Sequence, residues 1–367
     1  MAARGSIRIV LLVALGLVLA AGAAAWLARG QLATGMMRRV LAANLGRDPI
    51  AALPDGLHVG LCGTGSPLPD PKRNGPCAMV IAGKRMFIVD SGEGAAKGLT
   101  MMGFRPARAE ALLLTHYHSD HIDGLGGVML QHWAGGAARA PLPVYGPPGV
   151  EAVVKGFMDA YALDQGYRIA HHGPAVVPPE GFGAAPRPFT VAADGGETVL
   201  IQSPDLKVTA FAVDHDPVEP AVGYKFVYKG RSVVISGDTA PSKAVETAAR
   251  GADVLVHEAL SPTLVGLQEE AARKAGAANL AKVFHDILDY HTSPEQAADV
   301  AQAAGVKMLL LTHIVPALPV AALEGPFLGE ARMRFDGRLR LGRDGDLVSL
   351  PANEATISLS NRSAMRP

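Results

Sequence analysis

The most constraining feature of this sequence is the segment LLLTHYHSDHIDGLGG at residues 112–127, where an apolar run ends in a group of metal-capable side chains. The continuous apolar run is typical of a buried strand. His116, His118, Asp120 and His121 follow it, so a tight loop at the strand's end can point all four into one space. Such groups are costly to bury without a cation, and imidazole and carboxylate suit zinc and similar ions. The sequence therefore predicts a metal site at the end of this strand.

A second apolar segment stands near the N-terminus. Arg4 and Arg8 precede IVLLVALGLVLAAGAAAWLA, residues 9–28, which carries no charge. A basic start followed by an apolar stretch is typical of an export signal, and the small residues 23–25 offer a cleavage site. The run is also long enough to span a bilayer. Residues 1–30 are thus predicted to be a signal peptide or a membrane anchor, and either one places the rest of the chain outside the cytoplasm, in the periplasm or a similar compartment.

The remainder of the chain divides into a linker at 31–55, a folded domain at 56–350 and a C-terminal tail at 351–367. Within the domain, strand-rich stretches and alternating strands and helices follow each other twice, which indicates an α/β fold with two sheets covered by helices. Residues 163–187 are rich in glycine and proline and predict a long irregular loop. A strand at 188–193 is expected after it.

Cys62 and Cys77 lie on what the sequence predicts to be successive strands. In an oxidising compartment a cross-strand disulfide is chemically permitted. Two small buried hydrophobic side chains are an equally good interpretation. The sequence leaves both alternatives open.

The segment THYHSDH resembles the HxHxDH signature of the metallo-β-lactamase superfamily. Further segments resemble, in order, those of its ribonuclease Z and arylsulfatase branch: VDHDPVEPAVGYKF, VISGDT, VLVHEA, HTSPEQAA and LLLTHI. GLCGTGSPLPD and FIVDSGEG resemble the opening strands of that branch, so the likeness runs from residue 57 to about residue 315. The resemblance implies a four-layer αββα metallo-β-lactamase sandwich with two central mixed β-sheets.

The resemblance also implies two metal sites, which zinc would fill and manganese or iron could replace. One zinc would be held by His116, His118 and His215, and the other by Asp120, His121 and His313, with Asp238 bridging both. Each of these residues ends an apolar strand or follows one, where side chains from different strands can converge. Two adjacent metals can polarise an ester oxygen and generate hydroxide at neutral pH.

Catalytic roles follow from the same resemblance. His291 is the candidate general acid that protonates the leaving group, and Glu258, next to His257, is the residue that would orient it. Asp120 is counted among the catalytic residues as well as the ligands. Asp90 follows another apolar strand and is either an acceptor for a ligand imidazole or a turn residue.

The predicted function depends on where the sequence departs from ribonuclease Z. Only twelve residues, KFVYKGRSVVIS, join Tyr224 to Gly237, which leaves no room there for an arm that grips transfer RNA. Lysine plus arginine equals aspartate plus glutamate, 34 each, whereas nucleic-acid binders usually show a basic excess. These observations predict an exported binuclear zinc hydrolase of small phosphodiester or sulfate esters, and they disfavour a nucleic-acid partner.

Alternatives remain at this point. They are a ribonuclease Z-type endonuclease, a lactone or acyl-ester hydrolase, and a metal-bound binding module without activity. The expected partners are a small-molecule ester and, if residues 9–28 are not cleaved, a membrane. The sequence does not decide whether the chain forms a homodimer.

Overall fold

The computed structural model describes residues 2–44, 46–192 and 195–362. An N-terminal unit extends to Pro49 and a main unit begins at Ile50. The N-terminal unit is one helix, α1, at Ala2–Asn44, and among the described residues only its part Leu11–Ala43 is long and apolar enough to cross a membrane, by length and composition. The segment predicted as a linker from residue 31 is therefore helical through Asn44, because it contains no proline and consists mainly of strong helix formers.

The main unit contains two sheets and the helices that cover them. Its strands are β1 Gly56–Gly63, β2 Cys77–Ala82, β3 Arg85–Val89, β4 Ala109–Leu113, β5 Leu142–Gly146, β6 Ala184–Pro188, β7 Thr198–Gln202, β8 Leu206–Ala212, β9 Val222–Tyr228, β10 Arg231–Ile235, β11 Val254–Leu260, β12 Met308–Val315, β13 Arg338–Leu341, β14 Asp346–Pro351 and β15 Ser358–Asn361. Its helices are α2 Ala95–Met101, α3 Ser119–Ile122, α4 Leu125–Gly136, α5 Val150–His172, α6 Lys243–Ala248, α7 Pro262–Lys274, α8 Ala278–Asp286, α9 Pro294–Ala304, α10 Glu324–Leu328 and α11 Ala331–Arg334.

Both sheets are mixed. The first has the order β15-β14-β1-β2-β3-β4-β5-β6, with parallel pairing from β3 to β6 and antiparallel pairing elsewhere. The second has the order β13-β12-β11-β10-β9-β8-β7, with parallel pairing from β10 to β13. Parallel strands end at the same edge of their sheet, so each sheet has one edge where several strand ends meet.

The buried side chains form separate cores on the faces of these sheets. One core lies between the sheets, where Val59 and Val80 of the first share a cluster with Val208 and Phe226 of the second. A second core joins the outer face of the first sheet to α2, α4 and α5, and a third joins the outer face of the second sheet to α6, α9 and other helices. This is the four-layer αββα sandwich, so the predicted fold class is confirmed.

The irregular loop predicted at 163–187 is wrong in its first part, because α5 continues to His172. Residues 163–172 contain no proline, and the helix ends only at Gly173, which takes a positive φ of 79°. The strand predicted at 188–193 is also misplaced: β6 lies earlier, parallel to β5, and residue 193 is outside the described residues.

Part of the segment predicted as a tail at 351–367 belongs to the first sheet. Strand β15 pairs antiparallel with β14 through four residue pairs and forms the edge of the sheet. Its exposure alternates along the strand, as expected of an edge strand with one face on the core. Residues 363–367 of that predicted tail lie outside the described residues.

The two cysteines form a disulfide that joins β1 to β2, with a Cα–Cα distance of 5.1 Å. Both side chains are buried. The disulfide closes the loop that connects these strands, and this settles the alternative that the sequence left open.

Candidate metal centre

The seven predicted metal ligands come from strand ends in both sheets. Four of them follow β4 of the first sheet: His116, His118, Asp120 and His121. The other three belong to the second sheet, where His215 follows β8, Asp238 follows β10 and His313 lies in β12. The structure brings all seven together between the sheets, in groups whose potential ligand atoms lie within 4.8 Å of one another. The arrangement is the one that the resemblance implies, and metal binding by these residues stays a prediction.

Three imidazoles form the first group with Asp238. His116 Nε2 lies 3.1 Å from His118 Nδ1, and His215 Nε2 lies 3.4 Å from the same His118 atom. Burial lowers the pKa of all three imidazoles, that of His116 well below its usual value. Neutral imidazoles whose nitrogens face one another at these distances form a donor set that suits a soft-to-borderline cation.

The second group consists of Asp120, His121 and His313. His313 Nε2 lies 3.2 Å from Asp120 Oδ2 and 3.1 Å from Asp238 Oδ2. His121 Nε2 lies 3.2 Å from the same Asp238 oxygen. Asp238 Oδ2 is also 3.8 Å from His116 Nε2, so this carboxylate contacts both groups.

Charge in the second group is strongly coupled. Burial raises the pKa of Asp238, but His121 and His313 outweigh it and hold that pKa well below its usual range. Burial lowers the pKa of His313, yet the carboxylates of Asp238 and Asp120 raise it to about 9. A bound cation would supply the positive charge that the clustered carboxylates require, and the imidazoles that hold it would be neutral.

One buried atom supports a metal in this cluster. Asp238 Oδ1 has no hydrogen-bond partner among the described residues. A buried carboxylate oxygen without a partner is costly. A cation bound by Asp238 would remove that cost, so the residues present fit a metal pair.

Thr115 and Asp90 form hydrogen bonds with two of the proposed ligands that follow β4. Asp90 Oδ2 accepts hydrogen bonds from Thr115 Oγ1 at 2.9 Å and from His121 Nδ1 at 2.9 Å, and its Oδ1 accepts from the Thr115 amide at 2.8 Å. Thr115 Oγ1 also lies 3.0 Å from His116 Nδ1. Of the two interpretations of Asp90, the structure supports the acceptor for a ligand imidazole. Such partners orient an imidazole and fix its tautomer.

The turn that carries Asp90 approaches the ligand loop closely. Asp90 adopts a positive φ of 57°, which aspartate tolerates better than most residues. At Gly92 a Cβ atom would lie 2.2 Å from the backbone oxygen of Asp120. Only glycine fits between this turn and the loop.

Glu258 and His291 lie beside the cluster. Glu258 Oε1 accepts a hydrogen bond from His291 Nδ1 at 2.8 Å and from the amides of Thr239 and Thr292 at 3.2 and 3.1 Å. His291 in turn forms a possible ligand group with Asp238 and His313. Because the carboxylate accepts a hydrogen bond from Nδ1–H, the other ring nitrogen of His291, Nε2, is the one that can contact a substrate or a metal.

Three further histidines are not among the possible metal ligands in the described part of the chain. His257 is fully buried, and its Nδ1 donates to the backbone oxygen of Glu258 at 2.8 Å. His171 and His172 are exposed at the end of α5. Sequence reasoning missed Thr115 and Tyr290. The only signal for either was its position next to a predicted site residue.

Comparison with known proteins agrees with this geometry. A family profile described as the β-lactamase superfamily domain matches residues 85–314. The chain belongs to the metallo-β-lactamase superfamily. It is a hydrolase of that superfamily, and the resemblance drawn from the ordered motifs is confirmed.

Its similar relatives include ribonuclease Z enzymes. Ribonuclease Z of Mycolicibacterium gilvum is 38% identical over 291 residues, which cover 78% of this chain and 94% of the relative. Ribonuclease Z of Mycobacterium avium is 38% identical over 298 residues, covering 81% and 99%. The crystal structure of the short form of human tRNase Z is 22% identical with a TM-score of 0.57, covers 80% of this chain and 99% of that one, and shows the shared fold.

These relatives overturn one prediction. The sequence disfavoured a nucleic-acid partner, whereas the relatives are named for action on RNA. The prediction was wrong because net charge is an average over the whole chain and does not report the charge around one site. The short connection from β9 to β10 excludes an arm only at that place.

Proposed function

We propose that this protein is a binuclear metal-dependent phosphodiesterase that cleaves RNA, like the ribonuclease Z enzymes it resembles. The observation that carries the proposal is the complete set of seven donors beside the Glu258–His291 pair, in a chain 38% identical to ribonuclease Z over nearly the whole length of that relative. The expectation of a small sulfate ester finds no support in these relatives.

The proposed metals are zinc, held as the resemblance implies. His116, His118 and His215 would hold one ion, Asp120, His121 and His313 the other, and Asp238 would bridge them. When bound, such a pair polarises a phosphoryl oxygen and lowers the pKa of a coordinated water.

The protein's own groups supply the remaining chemistry. Glu258 accepts a hydrogen bond from the Nδ1–H group of His291, so the proton that His291 donates as an acid is held at Nε2. From there it can pass to the oxygen that leaves phosphorus. The carboxylate of Glu258 orients the ring, and two backbone amides keep that carboxylate in place. Burial of this pair beside the cluster limits competition from water.

The test is cleavage by the full-length, zinc-loaded protein in detergent. The substrates are a transfer-RNA transcript, a single-stranded RNA oligomer, bis(p-nitrophenyl) phosphate and p-nitrophenyl sulfate. We expect cleavage of RNA and of the diester, and loss of both in Asp238→Asn and His118→Ala, with reduced metal content in each. Diester cleavage without RNA cleavage would overturn the RNA assignment, and sulfate cleavage alone would overturn the phosphodiesterase.

We infer in addition that the enzyme works outside the cytoplasm. The support is the apolar, uncharged run at residues 9–28 within α1 and the buried Cys62–Cys77 disulfide, a bond that persists mainly in oxidising compartments. Protease added to cells whose outer envelope has been opened, and whose inner membrane is intact, should digest the main unit. Complete protection until the inner membrane is lysed would contradict the inference.

A further inference from the structure

The solvent side of the metal cluster can be located from the exposure of its members. Of the seven donors, His118 alone is not buried. Its ring lies 5.2 Å from that of His215, and His215 in turn contacts the ring of Tyr290 edge-on at 4.9 Å. Tyr290 is half-buried. A substrate therefore reaches the cluster past His118 and Tyr290.

Tyr290 is held firmly in this entrance. Its backbone oxygen accepts a hydrogen bond from His215 Nδ1 at 2.9 Å. Its ring lies 4.9 Å from the ring of His291, the candidate acid. Its hydroxyl has no hydrogen-bond partner among the described residues, so the ring is positioned by the backbone and by ring contacts.

The position of His291, next to Tyr290, indicates which part of a substrate would lie beside Tyr290. An acid must contact the oxygen that leaves phosphorus, so His291 marks the leaving-group side of the site. In an RNA diester, the leaving oxygen belongs to a nucleoside with a planar base. Aromatic side chains at the mouths of RNA sites bind bases by stacking, which tolerates any sequence.

We propose that Tyr290 stacks on the base of the nucleoside that leaves, and so helps to set the affinity for RNA. The inference rests on the proposed function, because it needs an RNA diester and His291 as the acid. Tyr290 would then be a residue that determines substrate preference, whereas the metal ligands and His291 carry the reaction.

The experiment uses the dinucleotide UpU, which contains a single diester, and two analogues that each lack one base. The full-length zinc-loaded protein is compared with Tyr290→Leu and Tyr290→Phe. The product released without phosphate identifies the leaving nucleoside. Base stacking on an aromatic ring changes binding by about 5- to 150-fold.

We expect Tyr290→Leu to raise the KM for UpU at least about five-fold, within that range of stacking. The increase should vanish for the analogue without the leaving-side base and persist for the other analogue. Tyr290→Phe, which keeps the ring, should behave like the parent. Metal content should be equal in all three proteins, since the hydrogen bond that His215 donates goes to the backbone oxygen of residue 290, which both variants keep.

An equal rise in KM for all three substrates would overturn the inference, as would a fall in kcat at constant KM or no change. If the parent protein does not cleave UpU, the dissociation constants of UpU and its analogues test Tyr290 directly, and cleavage of the transfer-RNA transcript and the RNA oligomer tests the proposed function separately. Equal binding by the parent and Tyr290→Leu would then overturn the stacking. Absence of any binding would overturn the stacking as well.

Discussion

His291 and Glu258 are joined by a hydrogen bond of 2.8 Å from Nδ1 to a carboxylate that two backbone amides also hold. The geometry leaves Nε2 as the only ring nitrogen that can face a substrate. It also makes the two side chains one functional unit, because this carboxylate fixes the orientation of the ring.

Removal of either member should therefore cost activity, and removal of both should cost little more. We expect His291→Gln to lower kcat roughly 10²- to 10⁴-fold, the usual range for general acid catalysis. Glu258→Gln, which keeps the shape, should lower it less, and the double variant should match His291→Gln. Steady-state kinetics with a metal assay check this. Loss of a metal ion from His291→Gln would instead make His291 a ligand.

The hydroxyl of Thr115 should matter for metal affinity. Thr115→Val keeps the shape of the side chain but removes the contacts of its hydroxyl with Asp90 and His116. Loss of a hydrogen-bond partner of a metal ligand typically lowers metal affinity about 10- to 100-fold. Thr115→Ser keeps the hydroxyl and is the matched control. Competition with a chromophoric chelator measures the affinities, and circular dichroism checks the fold. Equal affinities for the valine and serine variants would exclude this role.

The disulfide should stabilise the main unit. In the loop-entropy account a bridge across about 15 residues contributes about 3 kcal/mol. We expect the variant with both Cys62→Ala and Cys77→Ala to unfold at lower temperature than the parent. A reductant should lower the unfolding temperature of the parent and leave the variant unchanged. If reductant does not change the unfolding temperature of the parent, the bridge does not form.

Asp253 provides a pH-dependent test far from the metal ligands. It accepts hydrogen bonds from Arg231, Lys307 and the Ser232 amide. Burial raises its pKa, but these partners outweigh it and lower the pKa below 3.8. A lowered folded-state pKa adds stability that is present above the unfolded value and lost as the pH falls through the folded value.

Asp253→Asn should therefore lower the unfolding free energy by about 3 kcal/mol or more near neutral pH, because Arg231 is left buried without its partner. The difference from the parent should shrink below about pH 4, as the parent's carboxyl becomes protonated. Asp159→Asn, in an exposed pair with Lys155, is the control and should change little. A difference that stays constant from pH 7 to pH 3 would contradict the assignment.

The convergence of the seven proposed donors could be predicted from the sequence, because each ends an apolar strand or follows one and matches a motif of the family in order. Thr115 and Tyr290 could not be predicted, since their roles arise from contacts with residues far along the chain, such as Asp90 and His215. The length of α5 was missed because glycine and proline density was averaged over a window that included a helical part. The prediction that disfavoured a nucleic-acid partner was wrong because net charge carries no spatial information.

The donors are divided between the two sheets, four following β4 and three on the second sheet, and they span the chain from His116 to His313. Neither sheet alone offers a complete set for either ion, because His215 must join His116 and His118, and His313 must join Asp120 and His121. If these residues bind two ions as proposed, both sites are complete only after synthesis has passed β12 and the sheets have packed. An exported chain would acquire its ions at its destination, from the supply of that compartment.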